Sequence, residues 1–468
     1  MKDNLDPILG EVVRGARVIM PSMSAARRRN IVLLLAGCIA LMMTGFGIIL
    51  PVFARRLMEF GAGVQTLGWM TMSFALAQFI AAPFMGSLAD RIGRRPLIIV
   101  SLIAYIAANI GFLLAPSTTA FIVIRTFEGA LTAGLFPSAM GVVADISPED
   151  ERGRWSGILM GAYGAGFIFG PVIGGFLYDG WGYAMPFILS AFMAVLALLA
   201  AITVVPETRS DEIRRRDRLY QLREAQLDGY KKGSLWDSLP KPLIVFGTLL
   251  SLDFMIVFSF AFVEPQMIFY FYEQLGWSTI QFGVIVGAYG GSLVISQLLF
   301  GQLSDRFART PVIIVGMLLY ATFYVALAII SSYPLMILAA ITSGIGEALV
   351  MPALSAYYLD ITSEQHRSRV LGIKEASAAL GGVLGPLLVV WVSAITAPKG
   401  VFMFAFLATL ATTGLALGFL RIPHKADEVH PDLAWELSRN RSIAAQATYR
   451  GIITSATTAR NTNLRLNI

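Results

Sequence analysis

Twelve long apolar runs constrain the fold of this chain more than any other feature of its sequence. A helix that crosses a bilayer needs about 20 mostly apolar residues, and each run is long enough to supply them. The runs lie near residues 31–53, 65–88, 96–115, 119–144, 153–178, 183–205, 242–272, 278–303, 311–331, 334–359, 368–394 and 400–421. Because only 14% of the residues are charged, the chain cannot cover a soluble globule of this size with polar groups. The sequence therefore predicts an all-α membrane protein with twelve transmembrane helices.

A charged stretch divides the twelve runs into two sets of six. Residues 206–241 carry too many charges to cross a bilayer. We interpret them as a cytoplasmic linker, with a regulatory or partner-binding role as the alternative. The predicted organisation is an N-terminal cytoplasmic segment at 1–30, a six-helix bundle at 31–205, the central loop at 206–241, a second six-helix bundle at 242–421 and a cytoplasmic tail at 422–468.

The basic residues indicate how the chain is oriented. If both termini lie in the cytoplasm, only three of the 36 Lys and Arg residues fall in outer loops, namely Arg55, Arg56 and Lys399. Lys and Arg accumulate on the cytoplasmic side of membrane proteins, so we expect a multi-pass plasma-membrane protein with both termini in the cytoplasm. The same rule accounts for the net charge of +6 without a nucleic-acid partner, and we expect a monomer.

The two sets of runs repeat each other. The stretch "GSLADRIGRR" at 86–95 recurs as "GQLSDRFART" at 301–310, and the same offset relates Pro137 to Pro352. Each set holds an even number of runs, so both sets enter the membrane from the same side. We therefore expect two pseudo-symmetric bundles related by an axis along the membrane normal, with a shared site between them near the midplane.

The twelve runs, the central loop and the stretch at 86–95 resemble the major facilitator superfamily over residues 30–421, and most of all its twelve-helix drug:proton antiporters. In that family the stretch is named motif A, and it is matched by Gly86, Leu88, Asp90, Arg91, Gly93, Arg94 and Arg95. The second copy keeps Gly301, Asp305, Arg306 and Arg309 but has Ala308 and Thr310 in place of a glycine and a basic residue. The resemblance implies two bundles that rock about a central chamber.

Motif A is predicted to act as a cytoplasmic gate. Asp90 can meet the positive N-terminal end of a neighbouring helix, which the resemblance implies is helix 11, and Arg94 can pair with Asp145. These contacts would hold the outward-open state and break when the cytoplasmic side opens. The predicted gate residues are Gly86, Asp90, Arg91, Arg94, Asp145, Gly301, Asp305, Arg306 and Arg309. The alternative is that the arginines only orient the chain in the membrane by the positive-inside rule. That rule would explain the arginines but neither Asp90 nor the glycines.

A glycine-rich stretch marks helix 5. In "GILMGAYGAGFIFGPVIGG" at 157–175, small residues recur at four-residue spacing, which lets helices pack closely in a membrane. Its end resembles motif C, which in the family is associated with exporters that exchange substrate for protons. The matching residues are Gly166, Gly170, Pro171, Gly174 and Gly175. The alternative is close helix packing without any link to the direction of transport.

Two charges of opposite sign lie inside the fourth run. Arg125 and Glu128 are one turn apart on the same helix face, and an arginine at the bilayer centre costs about 2.5–3.5 kcal/mol on insertion scales. The stretch resembles motif B, in which an arginine is linked to proton coupling, and Arg125 and Gly129 match it. The alternative is a self-neutralising pair that only links helices.

Three further acids lie in the second set of runs. They are Asp253 and Glu264 in helix 7 and Glu347 in helix 10. A carboxyl group in a low-dielectric cavity favours its neutral form and can take up a proton. The candidates for proton coupling are Arg125 and, in order of preference as the proton carrier, Glu128, Glu347 and Asp253. Four apolar residues are candidates for lining a cavity, although packing explains each of them as well: Phe46, Met255, Phe258 and Phe262.

These features predict a secondary active transporter that works by alternating access, and specifically a proton-coupled exporter of amphipathic drugs or metabolites. The alternative is a proton symporter or uniporter that imports a small nutrient, and a third interpretation is a sensor or assembly factor. The sequence has no G-x-x-x-x-G-K-[ST] loop, no nucleophile with a base and no metal-ligand spacing. We therefore expect no enzyme activity, cofactor or metal; the expected partners are a small-molecule substrate, protons and the lipid bilayer.

Overall fold

All twelve predicted helices are present in the structure. The computed structural model describes residues 24–148, 151–208, 239–300, 308–362 and 366–420. The first six helices are α1 (Ala25–Glu59), α2 (Val64–Ile92), α3 (Arg94–Leu114), α4 (Thr118–Ile146), α5 (Arg152–Trp181) and α6 (Ala184–Val204). The second six are α7 (Leu243–Gln274), α8 (Thr279–Phe300), α9 (Arg309–Ile329), α10 (Tyr333–Asp360), α11 (Arg367–Ile395) and α12 (Pro398–Phe419). Each is long and apolar enough to cross a membrane, and the described residues contain no strand, which confirms the all-α membrane fold.

Helix α4 consists of two pieces rather than one. The first piece, Thr118–Thr132, ends at Ala133, and the second piece, Leu135–Ile146, begins after Gly134. Pro137 lies in the first turn of the second piece, where its missing N–H interrupts no helical hydrogen bond. Inside one continuous helix the same proline would remove a bond, so the chain ends one helix and starts another.

Helix α7 ends in a wider turn. Leu243–Phe269 is α-helical, whereas Tyr270–Gln274 forms a single π-helical turn. Pro265 lies shortly before this turn and has no N–H to donate, which loosens the hydrogen bonding near the end of the helix. Turns of this kind occur frequently at functional sites of helical proteins.

The two sets of helices pack by the same scheme. In the first set α1 packs on α5 and α6, α3 packs on α4 and α6, and α2 packs on α4. In the second set α7 packs on α11 and α12, α9 packs on α10 and α12, and α8 packs on α10. The pairs α2–α11 and α5–α8 join the two sets. The pairing therefore repeats along with the sequence, while the domain boundaries given above stay a prediction.

Candidate functional site

The helix ends define two faces of the molecule. We call one face the basic end, because the α2–α3 turn and the start of α5 bring several arginines there, namely Arg91, Arg94, Arg95, Arg152 and Arg154. We call the opposite face, which carries the α1–α2 and α7–α8 connections, the far end. We call α1–α6 the first half and α7–α12 the second half.

Helix α5 lies backbone to backbone between α1 and α8. Gly166, Gly170 and Gly174 face α1, and a Cβ atom on Gly170 would lie 2.7 Å from the α1 backbone. On the other side, a Cβ atom on Gly175 would lie 2.5 Å from the carbonyl oxygen of Thr279. Because real Cβ atoms do not approach other atoms this closely, only glycine fits at these positions. We call Gly166, Gly170 and Gly174 the glycine face of α5. It seats α5 on α1 within the first half, while Gly175 lets α5 approach α8 of the second half.

The two halves are in close contact near the far end, whereas several glycines nearer the basic end have open space around them. On α5, Pro171 lies against Gly283 of α8, and on α2 a Cβ atom on Gly68 would lie 3.2 Å from the carbonyl oxygen of Pro386 on α11. Nearer the basic end, Cβ atoms on three glycines of α2 and α5 would meet no described atom within 4 Å: Gly86, Gly157 and Gly161. Among the described residues, these three positions therefore have room for a side chain.

A polar network joins three helix ends at the basic end of the first half. Arg94 Nε lies 2.7 Å from Asp145 Oδ2, which also accepts the Thr208 hydroxyl at 2.8 Å. The Glu207 carboxylate accepts the backbone N–H groups of Arg94 and Arg95 at 3.2 Å each, so it caps the positive end of α3. Motif A thus ties the α2–α3 turn to α4 and to the segment after α6. Sequence reasoning missed Glu207 and Thr208, because they begin the stretch that is interpreted as a linker.

The Asp90 carboxylate is half exposed in this structure. Its side chain is 51% exposed and its Oδ1 lies 4.0 Å from Arg94 Nη2, so it is not buried against α11, the contact that the resemblance implies for the outward-open state. In the second half, Arg309 Nε lies 3.2 Å from Asp360 Oδ2. This pair repeats Arg94–Asp145 at the offset of the sequence repeat. Arg91 is exposed, and Gly301, Asp305 and Arg306 lie outside the described residues.

The charges of α4 form a buried pair. Arg125 Nη1 lies 2.7 Å from Glu128 Oε2, and the two residues are 6% and 2% exposed. The guanidinium carbon of Arg125 lies 3.9 Å from the ring centre of Phe74, 4.8 Å from that of Phe46 and 5.2 Å from that of Phe53. Three aromatic faces stabilise the cation while the carboxylate neutralises it. This arrangement explains how the charge is tolerated away from water.

Asp253 belongs to a second buried pair, in the other half. Its Oδ1 lies 3.9 Å from Lys374 Nζ on α11, and Lys374 also donates to Glu375 Oε1 at 3.1 Å. Asp253 is 2% exposed. The pair joins α7 to α11, and nothing in the spacing of the sequence identifies Lys374 as the partner.

Glu347 has a neutral partner. The Tyr289 hydroxyl of α8 donates a hydrogen bond to Glu347 Oε2, and the Tyr289 ring stacks on Phe260 with 6.4 Å between the centroids. On α7, Glu264 is partly exposed, and no ion pair with Arg125 of the first half is present among the described residues. Glu128, Asp253 and Glu347 thus have separate partners rather than one shared cluster. Within the described ranges no three His, Cys, Asp or Glu side chains lie together as metal ligands.

Comparisons with known proteins agree with this arrangement. Multidrug resistance protein 2 of Bacillus subtilis (strain 168) is 26% identical over 368 residues, which cover 78% of this chain and 89% of that protein. Quinolone resistance protein NorA of Staphylococcus aureus (strain Mu50) is 24% identical over 351 residues, which cover 75% of this chain and 86% of that protein.

A solved structure shares the fold. The bacterial homologue of the human lysosomal transporter Spinster, in an inward-facing and occupied conformation, gives a TM-score of 0.67 at 17% identity and covers 86% of this chain and 98% of that chain. The sequence model of the Major Facilitator Superfamily matches residues 33–272 and 249–453, and so reaches into both halves. With this match and twelve helices paired by one repeated scheme, the chain belongs to the major facilitator superfamily of membrane transporters.

Proposed function

We propose that this transporter exports amphipathic drugs or metabolites in exchange for protons, by alternating access to one central chamber. The observation that carries the proposal is the buried Arg125–Glu128 pair, because charges inside a bilayer are costly and mark ion or substrate pathways. Relatives named for multidrug and quinolone resistance support export. The glycine face of α5, which resembles motif C, supports the same direction.

The basic end is proposed to face the cytoplasm of a cell with this protein in its plasma membrane. Lys and Arg accumulate on that side of membrane proteins, and the same rule puts both termini there. We infer an inward-facing state, in which the chamber opens to the cytoplasm, because the halves are in close contact at the far end and Asp90 is half exposed at the basic end. An exporter would load its substrate in this state, and a single chain would form the whole chamber.

The proposed chamber wall is aromatic. Phe46 contacts Phe74 and Phe167 with centroids 5.9 and 5.8 Å apart, and Tyr163 continues the row 5.4 Å from Phe167. All four side chains are partly exposed. Such rings accept both apolar groups and cations on their faces, which favours a lipophilic cation as substrate. Two other residues that were candidates for the lining belong to the packed core instead: Phe258 and Phe262.

Glu128 is the proposed proton carrier. Protonation of Glu128 would remove the counter-ion that lies 2.7 Å from Arg125. Glu264 on α7 is a partly exposed acid of the second half. A shift of Arg125 towards Glu264 would then connect proton uptake to attraction between the two halves.

Glu347 and Asp253 are the second and third candidates. Glu347 is held by the Tyr289 hydroxyl rather than by a cation, so a proton on Glu347 would leave no buried positive charge unpaired. Asp253 is already paired with Lys374, and protonating it would leave the lysine without that partner. The three acids can be separated by replacing each with its amide.

Transport in inverted membrane vesicles tests direction and coupling together. With the lumen acidified, we expect the vesicles to accumulate a lipophilic cation such as ethidium and to leave a neutral sugar outside. Vesicles without the protein provide the control for passive permeation. Loss of a preloaded sugar from the lumen, or cation movement in the same direction as the protons, would favour the importing alternative and contradict the exporter.

A further inference from the structure

The connection between α7 and α8 is clamped by the first half at the far end. Arg55 of α1 donates from Nη2 to the Trp277 carbonyl at 2.8 Å and from Nε to Thr279 Oγ1 at 3.3 Å. Its guanidinium carbon lies 3.8 Å from the ring centre of Tyr272. The Tyr272 hydroxyl in turn donates to the carbonyl of Pro51 on α1 at 2.9 Å. One arginine thus makes three contacts with the opposite half.

Asp179, near the end of α5, binds the same connection from the other side. Its carboxylate accepts the backbone N–H of Thr279 at 3.3 Å and that of Ile280 at 2.9 Å. These N–H groups belong to the first turn of α8 and have no partner within the helix. The negative charge also meets the positive end of the α8 dipole. We call Arg55, Asp179, Tyr272, Trp277 and Thr279 the far-end latch.

The charges of Arg55 and Asp179 each suit the backbone group that they bind at the α7–α8 connection. The cation Arg55 binds a carbonyl and the anion Asp179 binds two N–H groups. The glycine face of α5 seats this helix on α1, so the helices that carry the two charges form one unit. In the second half, the latch residue Tyr272 lies in the π-helical turn at the end of α7.

The neighbouring residue, Arg56, shows that a basic side chain at the far end does not always contact the opposite half. Arg56 pairs with Glu59 on its own helix, and its guanidinium lies over the rings of Phe60 and Tyr183. All of these partners belong to the first half. Of two adjacent basic residues on a face that membrane proteins keep poor in positive charge, Arg55 therefore spans the halves and Arg56 does not.

We propose that Arg55 and Asp179 are the gating residues of the far end, which hold the inward-facing state and release when the chamber opens outward. Every contact of the latch joins the two halves, so all of them break when the far end opens. The latch is the counterpart of the motif A gate, which is predicted to act in the opposite state. Both use a carboxylate of the first half at the N-terminus of a second-half helix, α8 here and α11 there.

Distances between spin labels on the full-length protein test this proposal. Cys38 is the single cysteine of the chain, so Cys38→Ala gives a background for labelling. One label pair at exposed Thr119 and Lys399 reports the separation of the halves at the far end. A second pair at Gly153 and Gly372, where a side chain meets no described atom within 4 Å, reports the basic end.

We expect Arg55→Ala and Asp179→Ala each to raise the ratio of far-end-open to far-end-closed molecules by about ten-fold or more, since each removes hydrogen bonds to a charged group. The basic-end distance should shorten in parallel. Asp179→Asn should give a smaller shift, because its amide oxygen still accepts an N–H. Arg56→Ala is the matched control and should leave both distances unchanged.

Equal distance distributions in the parent, Arg55→Ala and Asp179→Ala would overturn the proposal, and so would an equal shift in Arg56→Ala. If the alanine variants do not fold, the same criteria apply to Arg55→Gln and Asp179→Asn. The measurement uses neither substrate nor a proton gradient. Its outcome is therefore independent of whether the transporter exports drugs or imports a nutrient.

Discussion

Arg125 and Glu128 hold their charged groups 2.7 Å apart inside helix α4, although neither residue is more than 6% exposed. Removing one partner of a buried ion pair leaves an uncompensated charge, which is far more costly than the loss of a surface pair. The pair is therefore stable only while both charges are present. A proton that neutralises Glu128 would release the guanidinium of Arg125 from the carboxylate that lies 2.7 Å away in α4.

Replacing Glu128 with glutamine should abolish proton-driven accumulation. Glutamine keeps the size of the side chain but cannot take up a proton, and Arg125 loses its counter-ion, so we also expect about 3–5 kcal/mol of lost stability. Vesicle transport and thermal unfolding in detergent measure the two effects.

The double variant with Arg125→Gln should regain most of the stability but no transport. The exposed acid Glu273 supplies the control Glu273→Gln, and an unchanged pH dependence in Glu128→Gln would move the proposal to Glu347.

Adding one methyl group to α5 should have opposite results at two glycines. A Cβ atom on Gly174 would overlap the carbonyl oxygen of Ile48, whereas one on Gly161 would meet no described atom within 4 Å. We expect Gly174→Ala to cost about 1–3 kcal/mol through overpacking and to reduce transport. Gly161→Ala should be neutral or slightly stabilising because alanine favours helix. Melting temperatures of the two purified variants test the prediction, and equal values would contradict the close contact with α1.

Removing the cap of α3 should weaken the first half at its basic end. Glu207→Ala deletes the carboxylate that accepts the N–H groups of Arg94 and Arg95, and losing a helix cap costs about 0.5–2 kcal/mol. Glu207→Gln keeps one acceptor oxygen and should lose less. Thermal unfolding of the two variants beside the parent distinguishes them. An unchanged melting temperature in Glu207→Ala would show that the cap contributes nothing.

Replacing Asp90 with asparagine should shift the transporter in the direction opposite to Arg55→Ala. Asp90 is half exposed in this structure, and exposed ion pairs contribute little, so we expect asparagine to leave the proposed inward-facing state nearly as stable. Its predicted contact with the start of α11 belongs to the outward-open state, which asparagine would weaken. We expect normal membrane insertion, slower transport and more molecules with a closed far end by the same label pairs. Parent-like transport with parent-like distances would remove Asp90 from the gate.

The fold could be predicted from the sequence because bilayer physics leaves few choices. Apolar runs of bilayer length must be helical, since every backbone polar group has to be satisfied inside the segment. The predicted start of the eighth run near 278 is therefore close to Thr279, where α8 begins. Pro137 predicts a kink in the fourth run, whereas the structure has a complete break between Thr132 and Leu135. A proline in an apolar run is compatible with a kink, a first turn or a new helix.

The site could be predicted where spacing along one element determines a contact, and the family resemblance supplied one contact between helices, that of Arg94 with Asp145. Arg125 and Glu128 lie three positions apart on one helix, so their pairing follows from helix geometry. Contacts that depend on the packing of distant segments leave no such pattern. The bond from Arg55 to the Trp277 carbonyl is of this kind. Every residue has a backbone carbonyl, so the residue type at position 277 does not indicate the contact. Lys374 beside Asp253 is another, since the two residues belong to different helices.

The interruption of α4 at Ala133 and Gly134 has a mechanical consequence. The first piece of α4 carries Arg125 and the second carries Asp145. A two-residue connection joins them in place of continuous helical hydrogen bonding. If the first piece tilts after Glu128 is neutralised, the second piece moves with it only to the extent that the connection resists bending. The flexibility of Ala133 and Gly134 thus determines how strongly a movement of the Arg125–Glu128 pair displaces the Arg94–Asp145 pair at the basic end.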